Sequence, residues 1–247
     1  MVITFAGMIG VGKSTLSTIM GERLGTEVYY EPVTNNPVLP LFYKDPKRYA
    51  FELQIYFLSQ RLDSITNALV GKNNILDRSI YEDSLFFHTN AKLGRVGDDE
   101  KDTKVLVDIY DELLERMMRK IHGMPKNSPD LMVGIKVSYN TMIKRIKKRG
   151  RDYEQVEKDP SLVAYYNALL DAYEEFFNGG YTESPMVVID GDKYDFVENE
   201  EDRAEVINQI NDAMVENKLI SEDERMDIHM PQEKLEELIG SVKGVTV

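Results

Sequence analysis

The sequence predicts an α/β protein whose five-stranded parallel sheet is flanked by helices. Two observations carry this expectation. Short runs rich in β-branched and aromatic residues recur at 2–6, 27–30, 74–76, 131–137 and 186–189, and longer stretches of helical periodicity separate them. Strands that alternate with helices favour a parallel sheet covered on both faces, and 247 residues suffice to bury such a core without staples.

The first run, Val2-Ile3-Thr4-Phe5-Ala6, is too short for a signal segment, lacks a basic flank and leads straight into glycines, so it reads as a buried strand. A helix follows over 13–24. After the second strand, Asp45-Pro46 opens a long helix to about residue 70, with Tyr49, Leu53, Tyr56, Phe57 and Leu58 at core-facing spacing. Tyr81-Glu82-Asp83 opens the helix after the third strand. Helical pattern returns over 101–118, and Pro125 and Pro129 break it before the fourth strand. Further helices are expected over 140–148, 162–177 and 201–215. Beyond Asn217 the texture becomes charged, and Pro231 could start a short helix to residue 239. The reading divides the chain into a unit over 1–217 and an extension over 218–247, either a docked helix or a mobile appendage.

Composition narrows the function classes. Thirty Lys+Arg against 43 Asp+Glu leave a formal charge of −13, which argues against a nucleic acid polymer as partner. No cysteine is present, which excludes disulfides, thiol catalysis and Cys-ligated metals and is compatible with a reducing, cytoplasmic setting. No apolar run reaches the roughly 18 residues of a spanning helix, so no membrane partner is expected. His88, His122 and His229 lack ligand spacing.

The strongest chemical signal is Gly7-Met8-Ile9-Gly10-Val11-Gly12-Lys13-Ser14, a complete G-x-x-x-x-G-K-[ST] between a strand and a helix. Gly7, Gly10 and Gly12 let backbone N–H groups converge on phosphate oxygens, the helix N-terminus with Thr15 in its first turn adds its dipole, Lys13 reaches the transferred phosphate and Ser14 can ligate Mg²⁺. A nucleoside triphosphate is expected here. The cradle alone does not separate a GTPase, a motor and a small-molecule kinase. Glu31-Pro32-Val33 puts a carboxylate at the carboxyl edge of the sheet, placed to take a hydroxyl proton, with a plain surface glutamate as the competing reading. Asp77-Arg78-Ser79 ends the third strand, suiting magnesium and phosphate or, alternatively, a helix cap. Residues 144–151 carry six basic residues in eight, with Arg145 and Arg149 on one helix face and Gly150 releasing the chain toward Arg151. That is the geometry of a phosphate clamp.

Together these residues resemble the deoxynucleoside kinase family, especially its bacterial deoxyadenosine/deoxyguanosine members. The resemblance covers residues 1 to about 216 through the glycine loop, Glu31-Pro32-Val33, the segment 43–61, Asp77-Arg78-Ser79 and the segment 145–154. It implies a P-loop kinase fold with a short basic lid, and transfer of a phosphoryl group from ATP to the 5′-hydroxyl of a deoxynucleoside, with Mg²⁺. It implies Glu31 as general base, Arg78 on the hydroxyl and phosphates, Asp77 near Mg²⁺ beside Ser14, and Arg145, Arg149 and Arg151 as lid arginines. Tyr43 and Glu154 would hold the sugar 3′-hydroxyl, and Asp195-Phe196 would pack on the ATP adenine. Gln54, Arg61 and Asp83 would read the base and Phe87 would stack on it, whereas Leu53 stands where some relatives have a second aromatic.

The rivals are a nucleoside monophosphate kinase of the thymidylate kinase type and a non-catalytic subunit of the same fold. The first needs basic residues for an acceptor phosphate, and none beyond those assigned stand out over 31–61; the second usually shows a broken loop or a missing base. A GTPase would need an Asn/Thr-Lys-x-Asp motif, which is absent. Donor and acceptor patterns of Gln54, Arg61 and Asp83 disfavour thymidine, and the resemblance puts deoxyadenosine first, with deoxyguanosine and deoxycytidine next. Ile109, Leu113, Tyr166 and Leu169 suggest apolar surface for a dimer, homo or hetero. Since every assigned residue precedes it, removal of 220–247 is expected to leave the chemistry working.

Overall fold

In the computed structural model, which describes residues 1–31, 36–71 and 73–242, the first strand lies at the centre of the sheet. The strands are β1 (Val2–Gly7), β2 (Glu27–Tyr29), β3 (Asn74–Asp77), β4 (Leu131–Lys136) and β5 (Met186–Asp190). They pair in the order β2-β3-β1-β4-β5, all parallel. Every residue of β1 is buried, as a strand with neighbours on both sides and helices on both faces must be. The chain leaves β1 toward the β2 edge of the sheet and β4 toward the β5 edge, so the crevice for a ligand opens above the carboxyl ends of β1, β3 and β4. Pro32 and Val33 of the second motif lie outside the described residues.

Local chemistry explains the helix bounds. Helix α1 (Lys13–Leu24) starts at Gly12 and stops at Gly25, both left-handed. A short α2 (Leu39–Lys44), absent from the sequence reading, starts with proline in its first turn. Six residues, one of them Pro40, leave too little periodicity to detect. Helix α3 (Pro46–Val70) begins where the Asp45 carboxylate accepts from the Arg48 amide. Helix α4 (Asp83–Lys92) follows a 3₁₀ turn over Ile80–Glu82, and α5 (Glu100–His122) is capped by Asp99. Ser138 caps α6 (Tyr139–Arg149), which Gly150 ends. Helix α7 (Leu162–Glu175) runs on into a π turn over Phe176–Gly180. Asn199 caps α8 (Glu200–Glu216) by accepting from Glu201 and Asp202 amides.

The extension is docked. Met226, Met230, Leu235 and Ile239 are buried, and α9 (Gln232–Ser241) packs against α1. Asn211 on α8 both donates to the Met226 carbonyl and accepts from its amide, each at 3.0 Å. The apolar surface expected for a partner is also redistributed. Tyr166 and Leu169 are fully buried in the core and cannot serve a dimer face, whereas Val105 and Ile109 on α5 remain about half exposed. Helical spacing marks an apolar face without saying what covers it. Among the described residues, no helix is long and apolar enough to cross a membrane.

Candidate active site

The glycine loop sits where the sequence places it, and its backbone explains two of its glycines. Gly7 has φ 147°, and a Cβ there would come within 2.6 Å of the Ile135 carbonyl. Gly12 has φ 98°, and a Cβ there would meet the Phe196 ring at 2.9 Å. Lys13 is buried, and its ammonium donates to the carbonyls of Gly7 (3.0 Å) and Met8 (2.9 Å). Burial, reinforced by the Arg78 charge, pushes Lys13 down to about 7 against the opposing pull of Asp77, Glu82 and Glu31. Ser14 Oγ donates to Asp77 Oδ2 at 2.5 Å, because β1 and β3 pair with Phe5 opposite Asp77. Asp77 Oδ1 is buried with no partner among the described residues, and burial raises the carboxyl. A hydroxyl and an under-satisfied carboxylate beside a phosphate cradle fit Mg²⁺, which takes few protein oxygens and completes its shell with phosphate and water.

Arg78 lies at the centre of a buried ionic cluster beside the glycine loop. Its φ is 74°, a left-handed conformation that costs a non-glycine residue about 1 kcal/mol or more. Its Nε lies 3.1 Å from Glu31, its Nη1 pairs with Glu82 and donates to the Tyr173 hydroxyl at 2.5 Å, and its Nη2 donates to the Gly7 carbonyl at 3.2 Å. Arg61 in turn pairs with both Glu31 and Asp83. Burial would raise the Glu31 carboxyl, but Arg78, Arg61 and Lys13 outweigh it and hold Glu31 at about 2. Such a buried ionic network is a poor source of stability but pre-organises charge.

Around this network lie the remaining predicted residues. Asp83 is buried against Arg61, and Gln54, two turns before Arg61 on α3, is buried with its Oε1 unpartnered among the described residues. Phe87 is fully buried, its ring 4.4 Å from Tyr110 and 6.0 Å from Phe51. Tyr43 stacks at 4.8 Å on Tyr153, and Glu154 pairs with Arg149 and, at 3.6 Å, with Arg151. The three lid arginines therefore differ. Arg145 does not project from the lid: it donates to the Val11 carbonyl at 3.0 Å and the Gly191 carbonyl at 2.8 Å, bracing the glycine loop against the segment after β5.

A cleft of about 460 Å³ opens on the other side of the glycine loop, walled by that loop, α6 and the segment 191–202. Phe196 is not in that wall. Its ring is fully buried behind Gly12, and Asp195, Val197 and Glu198 face the cleft instead. One consecutive pair of residues cannot reveal which side chain turns inward.

A model of one family, deoxynucleoside kinase, matches residues 3–216. The chain belongs to the deoxynucleoside kinase family. The kinase is 55% identical over 215 residues to a deoxyguanosine kinase of Lactobacillus acidophilus, covering 87% of this chain and 91% of that one. It is 49% identical to a deoxyadenosine kinase of the same organism, covering 87% and 97%. A solved structure of a deoxyadenosine kinase from M. mycoides with bound dATP superposes with a TM-score of 0.68 at 31% identity, over 85% of this chain and all of that one. The P-loop kinase architecture expected from the sequence is thus the one this kinase has.

Sequence reasoning missed several residues of the kinase site. Glu82 and Tyr173 hold Arg78, with Tyr173 donating to Glu82 at 2.8 Å. The i, i+4 spacing of Arg78 and Glu82 was available as a signal; Tyr173, ninety-five residues from Arg78, left none. Tyr110 and Phe51 flank Phe87 without any local motif. Lys144 and Lys148 of the basic run also line the cleft beside the glycine loop.

Proposed function

We propose that this kinase transfers the γ-phosphoryl group of ATP, with Mg²⁺, to the 5′-hydroxyl of a purine deoxynucleoside. The observation that carries this reading is the buried Arg61–Asp83 pair, its arginine two turns along α3 from the buried Gln54, linked through Glu31 to Arg78 and the glycine loop. It joins a base-reading set to a phosphate cradle through one carboxylate. Lys13 and Arg78 neutralise charge on the transferring group, and Glu31 orients the hydroxyl and accepts its proton late, as a loose transition state permits. Ser14 and Asp77 hold Mg²⁺, which when bound neutralises phosphate charge. Tyr43 and Glu154 hold the sugar, and Phe87 stacks on the base. Arg149 and Arg151 exchange Glu154 for phosphate as the lid closes and excludes water, while Arg145 braces the loop. Residues 1–217 form the kinase unit, which acts in the cytoplasm as a dimer.

Asp83 is acceptor-only when ionised and Arg61 donor-only. Guanine offers O6 to Arg61 and ring and amino N–H groups to Asp83; adenine offers its amino group to Asp83 and N1 to the donors. Thymine opposes O4 to Asp83, two acceptors in contact. The relatives named for deoxyguanosine and deoxyadenosine support putting both purines first, which revises the adenine-first order. With ATP and Mg²⁺, kcat/KM for both purine deoxynucleosides is expected to exceed that for deoxycytidine, with thymidine lowest. A pyrimidine as best acceptor, or a nucleoside monophosphate phosphorylated in preference, would overturn the reading.

A further inference from the structure

The family match ends at residue 216, yet the extension beyond it is bonded to the donor side of the site in two places. The first is α9, which buries Leu235 and Ile239 and packs along α1, the helix that begins with Lys13 and Ser14. Lys234 adds an ion pair to Glu22 at 2.9 Å. The second runs through Arg203 on α8, a fully buried side chain whose hydrogen bonds among the described residues all go to neutral oxygens. Its Nη1 donates to the carbonyls of Phe196 (3.1 Å) and Val197 (3.0 Å). Its Nε donates to the Met230 carbonyl (3.0 Å) and its Nη2 to Gln232 Oε1 (2.9 Å). One guanidinium therefore ties the wall of the donor cleft to the extension.

A buried cation held only by neutral oxygens is costly unless its donors are met. Two of the four oxygens on Arg203 belong to the extension. Without them the guanidinium would turn toward water, and the Phe196–Val197 backbone bonded to it would follow. Phe196 packs so closely behind Gly12 that a Cβ there would lie 2.9 Å from its ring, so a shift at Phe196 is felt in the phosphate cradle. None of these bonds touches Glu31, Arg61 or Asp83.

We propose that the C-terminal extension positions the phosphate-donor site, with Arg203 as the positioning residue that transmits its docking to the 195–198 segment and the glycine loop. This rests on the kinase reading of the cleft and identifies the donor nucleotide, not the acceptor, as the ligand whose binding depends on the extension. It replaces the expectation that residues 220–247 are dispensable.

The test uses the full-length chain, with binding of ATP–Mg²⁺ and of deoxyguanosine measured separately by calorimetry and melting followed in parallel. Gln232→Ala, which removes the bond to Arg203 and an exposed one to Glu236, is expected to raise the Kd for ATP about five-fold. The undocking variant Leu235→Asp/Ile239→Asp is expected to raise it about ten-fold or more, with deoxyguanosine affinity changed less than about two-fold. Ile121→Ala, a core truncation on α5, controls for general loosening and should leave the ratio of the two affinities unchanged. Unchanged ATP binding in the undocked protein, or parallel loss of both ligands, would overturn the proposal. Should the double variant fail to fold, Gln232→Ala alone decides by the same ratio. A parent protein that binds neither ligand would instead refute the kinase reading.

Discussion

Glu31 shows how a single residue answers to its neighbours. Three cations hold its carboxyl at about 2, below its ordinary 4.5. A carboxyl depressed on folding contributes stability that is present above pH 4.5 and lost as the pH falls toward 2. Replacing Glu31 with Gln should remove that acid dependence from thermal melts taken across this window. The same variant should lower kcat by about 10²-fold or more with a smaller change in KM; a change confined to KM would make Glu31 a sugar ligand only. Lys13 is lowered as well, but there burial works against the charged form. Held at about 7 in the free protein, it loses its charge as pH rises through neutrality, so kcat/KM for ATP should fall there. Bound phosphate favours the charged form, so kcat should hold to higher pH. A kcat/KM profile flat from pH 6 to 9 would contradict this placement of Lys13.

At the scale of elements, the loops at strand ends carry the chemistry while helices brace them. Arg78 adopts a left-handed conformation at the end of β3, and Glu82 and Tyr173 from two different helical segments hold its guanidinium. Strain of this kind persists only where surrounding contacts over-determine it. Helix α9 is an element of another sort, bound by Leu235, which is wholly buried. Truncation of such a leucine to alanine typically costs about 2–5 kcal/mol. Leu235→Ala should therefore lower the melting temperature by roughly 4–20 °C in a protein of this size. An unchanged melt would mean that α9 is detached in solution.

For the whole molecule, Val105 and Ile109 on α5 are the exposed apolar residues of a helix with few buried side chains of its own. A second copy of a kinase chain that covers this face would form a symmetric dimer. Light scattering at micromolar concentration is expected to report twice 28.4 kDa, and Ile109→Asp to return the species to monomer mass. A parent protein at 28.4 kDa would reject the homodimer.

Much of the molecule could be read from sequence because its signals are local. Five apolar runs of strand length, the glycine loop before Lys13 and the acid-base pair Asp77-Arg78 each lie within a few consecutive residues, so pattern and spacing suffice. The family followed from those same motifs. What remained was decided by residues far apart in the chain: Tyr173 on Arg78, Tyr110 beside Phe87, Arg145 turned onto backbone carbonyls, and Arg203 bonded to Met230 and Gln232. The direction of Phe196 and the burial of Tyr166 and Leu169 belong here too. Helical periodicity tells which residues share a face; only packing between elements determines whether that face meets solvent, ligand or core.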